Sequence, residues 1–140
     1  MEKRYLYGNI DYTSLLIKAR NFLAEITQNA KNDYEKTGVV KAFEFCYELS
    51  WRLMKKIAKF HGIEVDNARD VFREANKLKI IKDAESWFAY LEKRNITVHT
   101  YRKEILDDLF FNTARDFLTD LDYLLAQLEK KAPEYDSNRK

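Results

Sequence analysis

Residues 101–130 read YRKEILDDLFFNTARDFLTDLDYLLAQLEK. Within them Phe110, Ala114, Phe117, Leu121, Leu124 and Leu128 recur at alternating steps of four and three. That spacing sets apolar side chains on one face of an α-helix. The run contains neither glycine nor proline, the two residues that most readily interrupt a helix. A helix from about Val98 or Tyr101 to Lys130 is expected, and its stripe needs other helices to cover it.

The rest of the chain supplies them. The 140 residues hold three glycines and one proline, far too few for the turns of a β-sandwich or barrel. Apolar residues make up 46% and charged residues 34%, a balance that excludes a disordered chain. Leu15, Ala19, Phe22, Ile26 and Ala30 repeat at helical spacing, with Asp11 or Thr13 as the cap. Residues 33–38 read as a connection. A second helix is expected over Val39–Phe60, with Val40, Phe43, Tyr47, Met54, Ile57 and Ala58 inward and Phe45, Leu49 and Trp51 widening its apolar face. His61-Gly62 suits its end, since glycine takes the left-handed conformation there and histidine meets the negative helix pole.

Asp66 or Asn67 can cap a short helix running to Lys79, with Ala68, Val71, Phe72, Ala75 and Leu78 inward. Asp83 can cap a further one carrying Trp87, Phe88 and Leu91. The expected fold is all-α: an up-and-down four-helix bundle with an additional short helix. Its expected organisation is an N-terminal arm over residues 1–10, one helical domain over 11–131 and a flexible tail over 132–140.

The net charge of +2 argues against an extended basic face for duplex nucleic acid, while leaving room for a local anion site. The lone Cys46 cannot form an intramolecular disulfide. No stretch resembles a signal or a membrane span, so a cytoplasmic protein with no membrane partner is expected. No Cys/His cluster or phosphate-binding glycine loop occurs, so no metal or cofactor is expected. Cys46 reads as an inert buried thiol, and Trp51 as core or interface rather than a stacking platform. Glu44 and Glu48 share a helix face, open to solvent or paired with lysine.

Chemistry concentrates in Arg94-Asn95-Ile96-Thr97-Val98-His99-Thr100-Tyr101. Arg94 lies seven residues after Trp87, on the inward side of its helix, where an anion must meet it. The β-branched Ile96, Thr97, Val98 and Thr100 are weak helix formers, so a break is expected near them. The break would let Arg94 and His99 converge and place His99 in the first turn of the last helix, where the dipole favours an anion and a neutral imidazole. There Arg94 would hold phosphate oxygens, Asn95 would orient a group, His99 would move a proton and Tyr101 would supply a hydroxyl. Such a set suits metal-free cleavage of RNA through its 2′-OH. The same residues also suit a purely structural helix junction.

Arg94-x4-His99-x-Tyr101 matches the Arg-x4-His-x-Tyr signature of the HEPN superfamily. More specifically, the chain resembles its nucleotidyltransferase substrate-binding protein branch. The resemblance includes Phe43-Glu44-Phe45-Cys46-Tyr47-Glu48-Leu49-Ser50-Trp51, Arg69-Asp70-Val71-Phe72-Arg73-Glu74-Ala75 and Trp87, and covers most of residues 11–130. It implies a helical bundle that forms a homodimer and pairs with a separately encoded minimal nucleotidyltransferase, as in toxin–antitoxin modules. Arg94 and His99 would then be catalytic in an RNase and Tyr101 the acceptor of AMP. The alternative is a non-catalytic substrate-binding subunit of a two-component nucleotidyltransferase. The chain lacks the Gly-Ser and Asp-x-Asp pattern of a nucleotidyltransferase itself.

Overall fold

Asn32 and Glu35 start the longest helix of the protein by satisfying its free backbone N–H groups. In the computed structural model, which describes residues 12–131, the Asn32 side chain accepts from the Glu35 N–H at 2.9 Å, and Glu35 accepts in turn from the Lys31 N–H at 2.7 Å. This reciprocal arrangement is a close variant of the capping box. The helices are α1 (Tyr12–Asn29), α2 (Asp33–Phe60), α3 (Ala68–Lys77), α4 (Ala84–Asn95), α5 (Lys103–Asp108) and α6 (Ala114–Lys130). A 3₁₀ turn, Thr97–His99, follows α4, and a π-helical turn, Leu109–Thr113, joins α5 to α6. The described residues are all-helical apart from turns and short connections. They include no helix long and apolar enough to cross a membrane.

Asn67 and Asp83 cap α3 and α4 in the same way, accepting from the N–H groups of Asp70 and Ser86. At the end of α2, Gly62 has φ +80°, and the N–H groups of Ile63 and Gly62 bond to the carbonyls of Ala58 and Lys59. That pairing closes the helix as a Schellman motif, with His61 at the cap.

Contacts across the bundle fix its directions. Lys103 pairs with Asp33, Lys36 with Asp107, and Phe43 stacks edge-on against Phe117, so α2 runs parallel to the α5–α6 rod. Helix α4 runs against both: Arg94, at its end, meets Glu44 and Glu48 on α2, while Tyr90 and Lys93 meet Asp120 and Asp108. The outcome is the expected up-and-down bundle, with α3 as the additional short helix. Phe43, Tyr47, Phe72, Trp87 and Phe117 form its buried aromatic centre, which contributes both apolar burial and edge-to-face contacts. The six-residue stripe from Phe110 to Leu128 is buried throughout.

Several expectations need correction. Residues 33–38 are helix, because the Asn32 cap outweighs the cost of Gly38 within it. On α1 Ala19 is buried and Ile26 and Ala30 pack against the core as expected, but Leu16 and Leu23 take the inward places of Leu15 and Phe22, which are 48% and 56% exposed. Each of those two exchanges is a shift of one residue, or about 100° around the helix. Thr13 lies inside α1 rather than at its cap, and Phe45 faces outward. Finally, α3 ends at Lys77 and the last rod begins only at Lys103. The arm expected over residues 1–10, the alternative cap Asp11 and the tail over 132–140 lie outside the described residues.

Candidate functional site

Arg94 occupies the last turn of α4, and its side chain is 32% exposed. The guanidinium turns onto α2, with Nη1 lying 3.3 Å from a Glu44 oxygen and Nε lying 3.6 Å from a Glu48 oxygen. The anion implied by an inward arginine is therefore supplied by the protein's own carboxylates. Thr97, at the start of the 3₁₀ turn, ties the group together. Its buried hydroxyl has one proton to give, either to Glu44 or back to the Arg94 carbonyl at 2.8 Å.

Burial alone would raise the Glu44 pKa. Hydrogen bonds from Thr97 and Lys41 and the charges of Lys41 and Arg94 outweigh it and hold the carboxyl below its ordinary range. Glu48 also accepts from the Trp51 indole N–H at 3.1 Å and lies 3.7 Å from Arg52. The solvent-facing or lysine-paired role expected for Glu44 and Glu48 is thus incomplete. Glu44 does pair with Lys41, but both carboxylates also form the seat of Arg94. Glutamates four apart on α2 and an inward arginine on α4 were the signal, but only tertiary structure shows that they meet.

His99 closes the 3₁₀ turn and is exposed. Its Nδ1 lies 3.1 Å from the hydroxyl of Tyr101, which is 78% exposed. His99 precedes the N-terminus of α5 rather than lying in its first turn, so the expected action of a helix dipole on the ring has no basis. The phenol takes over as the group that sets the imidazole tautomer. If Tyr101 donates to Nδ1, the neutral ring carries its proton on Nε2 and can only donate a hydrogen bond there. If Nδ1–H donates to the phenol, Nε2 is a base.

The helix break therefore forms, but it separates two contacts: Arg94 faces α2 and His99 faces Tyr101. Thr97 lies between them. Asn95, the last residue of α4, is exposed. The connection is braced from below, where Lys93 meets Asp108 at 2.8 Å and Asn112, in the π turn, donates to the same carboxylate at 2.9 Å. A π turn inserts a residue into a helix and recurs near functional sites. Nothing in the apolar stripe of α6 announces it.

Elsewhere, Cys46 is fully buried, and burial pushes its pKa up to about 12, in keeping with an unreactive thiol. Trp51 is half-buried.

Comparison with known proteins agrees with this architecture. Residues 10–130 match the family described as nucleotidyltransferase substrate binding protein like. A Haemophilus influenzae protein named probable ribonuclease HepT is 32% identical over 130 residues, covering 89% of this chain and 88% of that protein. A solved Haemophilus influenzae structure, described as the substrate binding domain of a nucleotidyltransferase, superposes with a TM-score of 0.76. It is 29% identical, and the match covers 84% of this chain and 98% of that one. A Thermus thermophilus structure shares the fold, with a TM-score of 0.74, 22% identity, and coverage of 81% of this chain and 98% of that one.

Proposed function

The chain belongs to the nucleotidyltransferase substrate-binding protein-like family, and from that premise we propose that it is the HEPN-type partner of a separately encoded minimal nucleotidyltransferase, with metal-independent endoribonuclease activity. The observation that carries this reading is the exposed His99–Tyr101 pair, 3.1 Å apart, placed by a helix break two residues beyond the Thr97–Arg94 seat. The ribonuclease name of the 32% identical relative supports the reaction class.

In the proposed reaction the ribose 2′-oxygen attacks the adjacent phosphorus and loses its proton to a base. The bond from phosphorus to the 5′-oxygen breaks, and an acid protonates the departing oxygen. The products are a 2′,3′-cyclic phosphate and a 5′-hydroxyl. Arg94 supplies positive charge to the phosphate oxygens, Asn95 orients the strand, and His99 moves one of the two protons. Two copies of the chain in a homodimer would bring a second imidazole. Tyr101 is the proposed switch. Its hydroxyl attacks the α-phosphorus of ATP on the nucleotidyltransferase, the phenol proton is lost and pyrophosphate leaves. AMP on Tyr101 then puts a negative charge where His99 had a hydroxyl partner and blocks the approach of RNA phosphate. The pair would behave as a toxin and its antitoxin in the cytoplasm.

The experiment incubates purified protein with RNA in EDTA. Cleavage is expected from the wild type and a loss on the order of a hundredfold or more from His99→Ala, the scale of one acid–base group. Equal rates in both would remove His99 from the chemistry. Incubation with the nucleotidyltransferase and ATP should add AMP at Tyr101, read by peptide mass spectrometry and abolished in Tyr101→Phe.

One observation favours the second reading, a non-catalytic substrate-binding subunit. Two carboxylates already lie against Nη1 and Nε of the Arg94 guanidinium, so the arginine would serve to shape the α2–α4 junction. That reading predicts no cleavage by the wild type and undiminished binding to the nucleotidyltransferase.

A further inference from the structure

Helix α2 continues past the Arg94 seat into a basic cleft of about 410 Å³ between its C-terminal half and residues 63–65. Arg52, Lys55, Lys56 and Lys59 line it against a single carboxylate, Glu64, with the Trp51 indole on one wall. The whole chain carries only +2, so this cleft holds more positive charge than the molecule's net excess. Two of these cations have only weakly neutralising partners. Arg52 lies 3.7 Å from Glu48 with its side chain 65% exposed, and Lys55 lies 4.0 Å from a fully exposed Asp66. Exposed pairs of that length are screened by water and salt.

The cleft is also joined to the candidate site. One Glu48 oxygen accepts from the Trp51 indole at 3.1 Å, and the other lies 3.6 Å from Arg94. A single carboxylate thus sets both the wall of the cleft and the motif arginine. From Glu48 to Lys59 the helix rises about 16 Å, the reach of a short single strand.

We propose that this cleft holds the sugar–phosphate backbone of single-stranded RNA as it leaves the Arg94–His99 site, a proposal that rests on the RNA chemistry above. Cations along one helix track successive phosphates, and the half-buried indole offers an apolar surface to a base or ribose. Together they make the combination of charge and aromatic surface that single strands favour. Duplex recognition is disfavoured because the basic surface runs along only about two turns of one helix and is flanked by Glu48, Glu64 and Asp66.

The test measures fluorescence anisotropy of a labelled single-stranded RNA oligonucleotide with full-length protein, all in the His99→Ala background so that the probe survives. Lys55→Glu/Lys59→Glu is compared with Lys18→Glu/Lys130→Glu, which changes net charge equally on other surfaces. Circular dichroism confirms that each variant folds. The cleft variant should bind at least about tenfold more weakly, and its log–log salt dependence should be shallower by roughly 1.4, the loss of two phosphate contacts. The control pair should stay within about twofold of the parent. Equal losses in both variants would overturn the proposal, as would no measurable RNA binding by the parent. Unchanged RNA binding coupled to lost nucleotidyltransferase binding would assign the cleft to the protein partner and overturn it too. Cleavage assays on the wild-type background separate this proposal from the reading beneath it: RNA bound through the cleft but never cut removes only the RNase.

Discussion

Glu44 shows how one side chain links stability to the site. It accepts from Thr97, pairs with Lys41 and faces Arg94 at 3.3 Å. Burial opposes its charge, but those partners prevail, so its pKa in the folded protein lies below the ordinary 4.5. A carboxyl depressed on folding binds fewer protons in the native state. Its contribution is therefore complete above pH about 4.5 and lost as the pH falls through its lower folded value. Glu44→Gln should cost on the order of 1 kcal/mol at neutral pH, a partly shielded pair rather than a fully buried one. It should also flatten the decline of stability between about pH 5 and 3. Urea midpoints at both ends of that range decide the matter, and parallel stability–pH curves for parent and variant would remove the role assigned to Glu44. Arg94, Asn95, His99 and Tyr101 were legible as a cluster because they sit within eight consecutive residues. Their carboxylate seat was not, because spacing along α2 says which residues share a face but not which helix that face meets.

At the scale of elements, capping was the readable signal and one glycine was misleading. Asn67, Asp83 and Gly62 mark boundaries in the structure as their chemistry requires. Gly38 invites a loop, yet it sits within α2 behind a complete cap at Asn32. The π turn at Leu109–Thr113 escapes any reading by period, because the apolar stripe passes through it without a change of step. The α2 boundary gives a two-sided prediction. A Cβ at Gly38 meets nothing within 4 Å, so Gly38→Ala should stabilise the protein by about 0.5–1 kcal/mol through helix propensity. Asn32→Ala should destabilise it by about 1 kcal/mol through loss of the cap. Both shifts are within reach of urea denaturation followed by circular dichroism. A neutral or destabilising Gly38→Ala would mean that residues 33–38 are not helix in solution.

At the scale of the whole molecule, the bundle separates its two histidines. Helix α2 meets the motif through Glu44 and Glu48 near its middle, and His61 caps its C-terminal end. Seventeen residues of α-helix from Glu44 to His61 span about 25 Å, too far for both imidazoles to act on one phosphate. Cleavage of RNA moves two protons, one from the 2′-oxygen and one to the 5′-oxygen, and each chain offers only His99 at the motif. A second copy related by two-fold symmetry would supply the second imidazole in a shared cleft. If that is how the reaction runs, the active species is the dimer, and its fraction follows mass action. Well below the association midpoint, tenfold dilution should then lower the cleavage rate per chain about tenfold, while light scattering records the shift to monomer. A rate per chain that stays constant while the scattering mass halves would place both proton transfers within one chain, with Tyr101 or solvent as the second group.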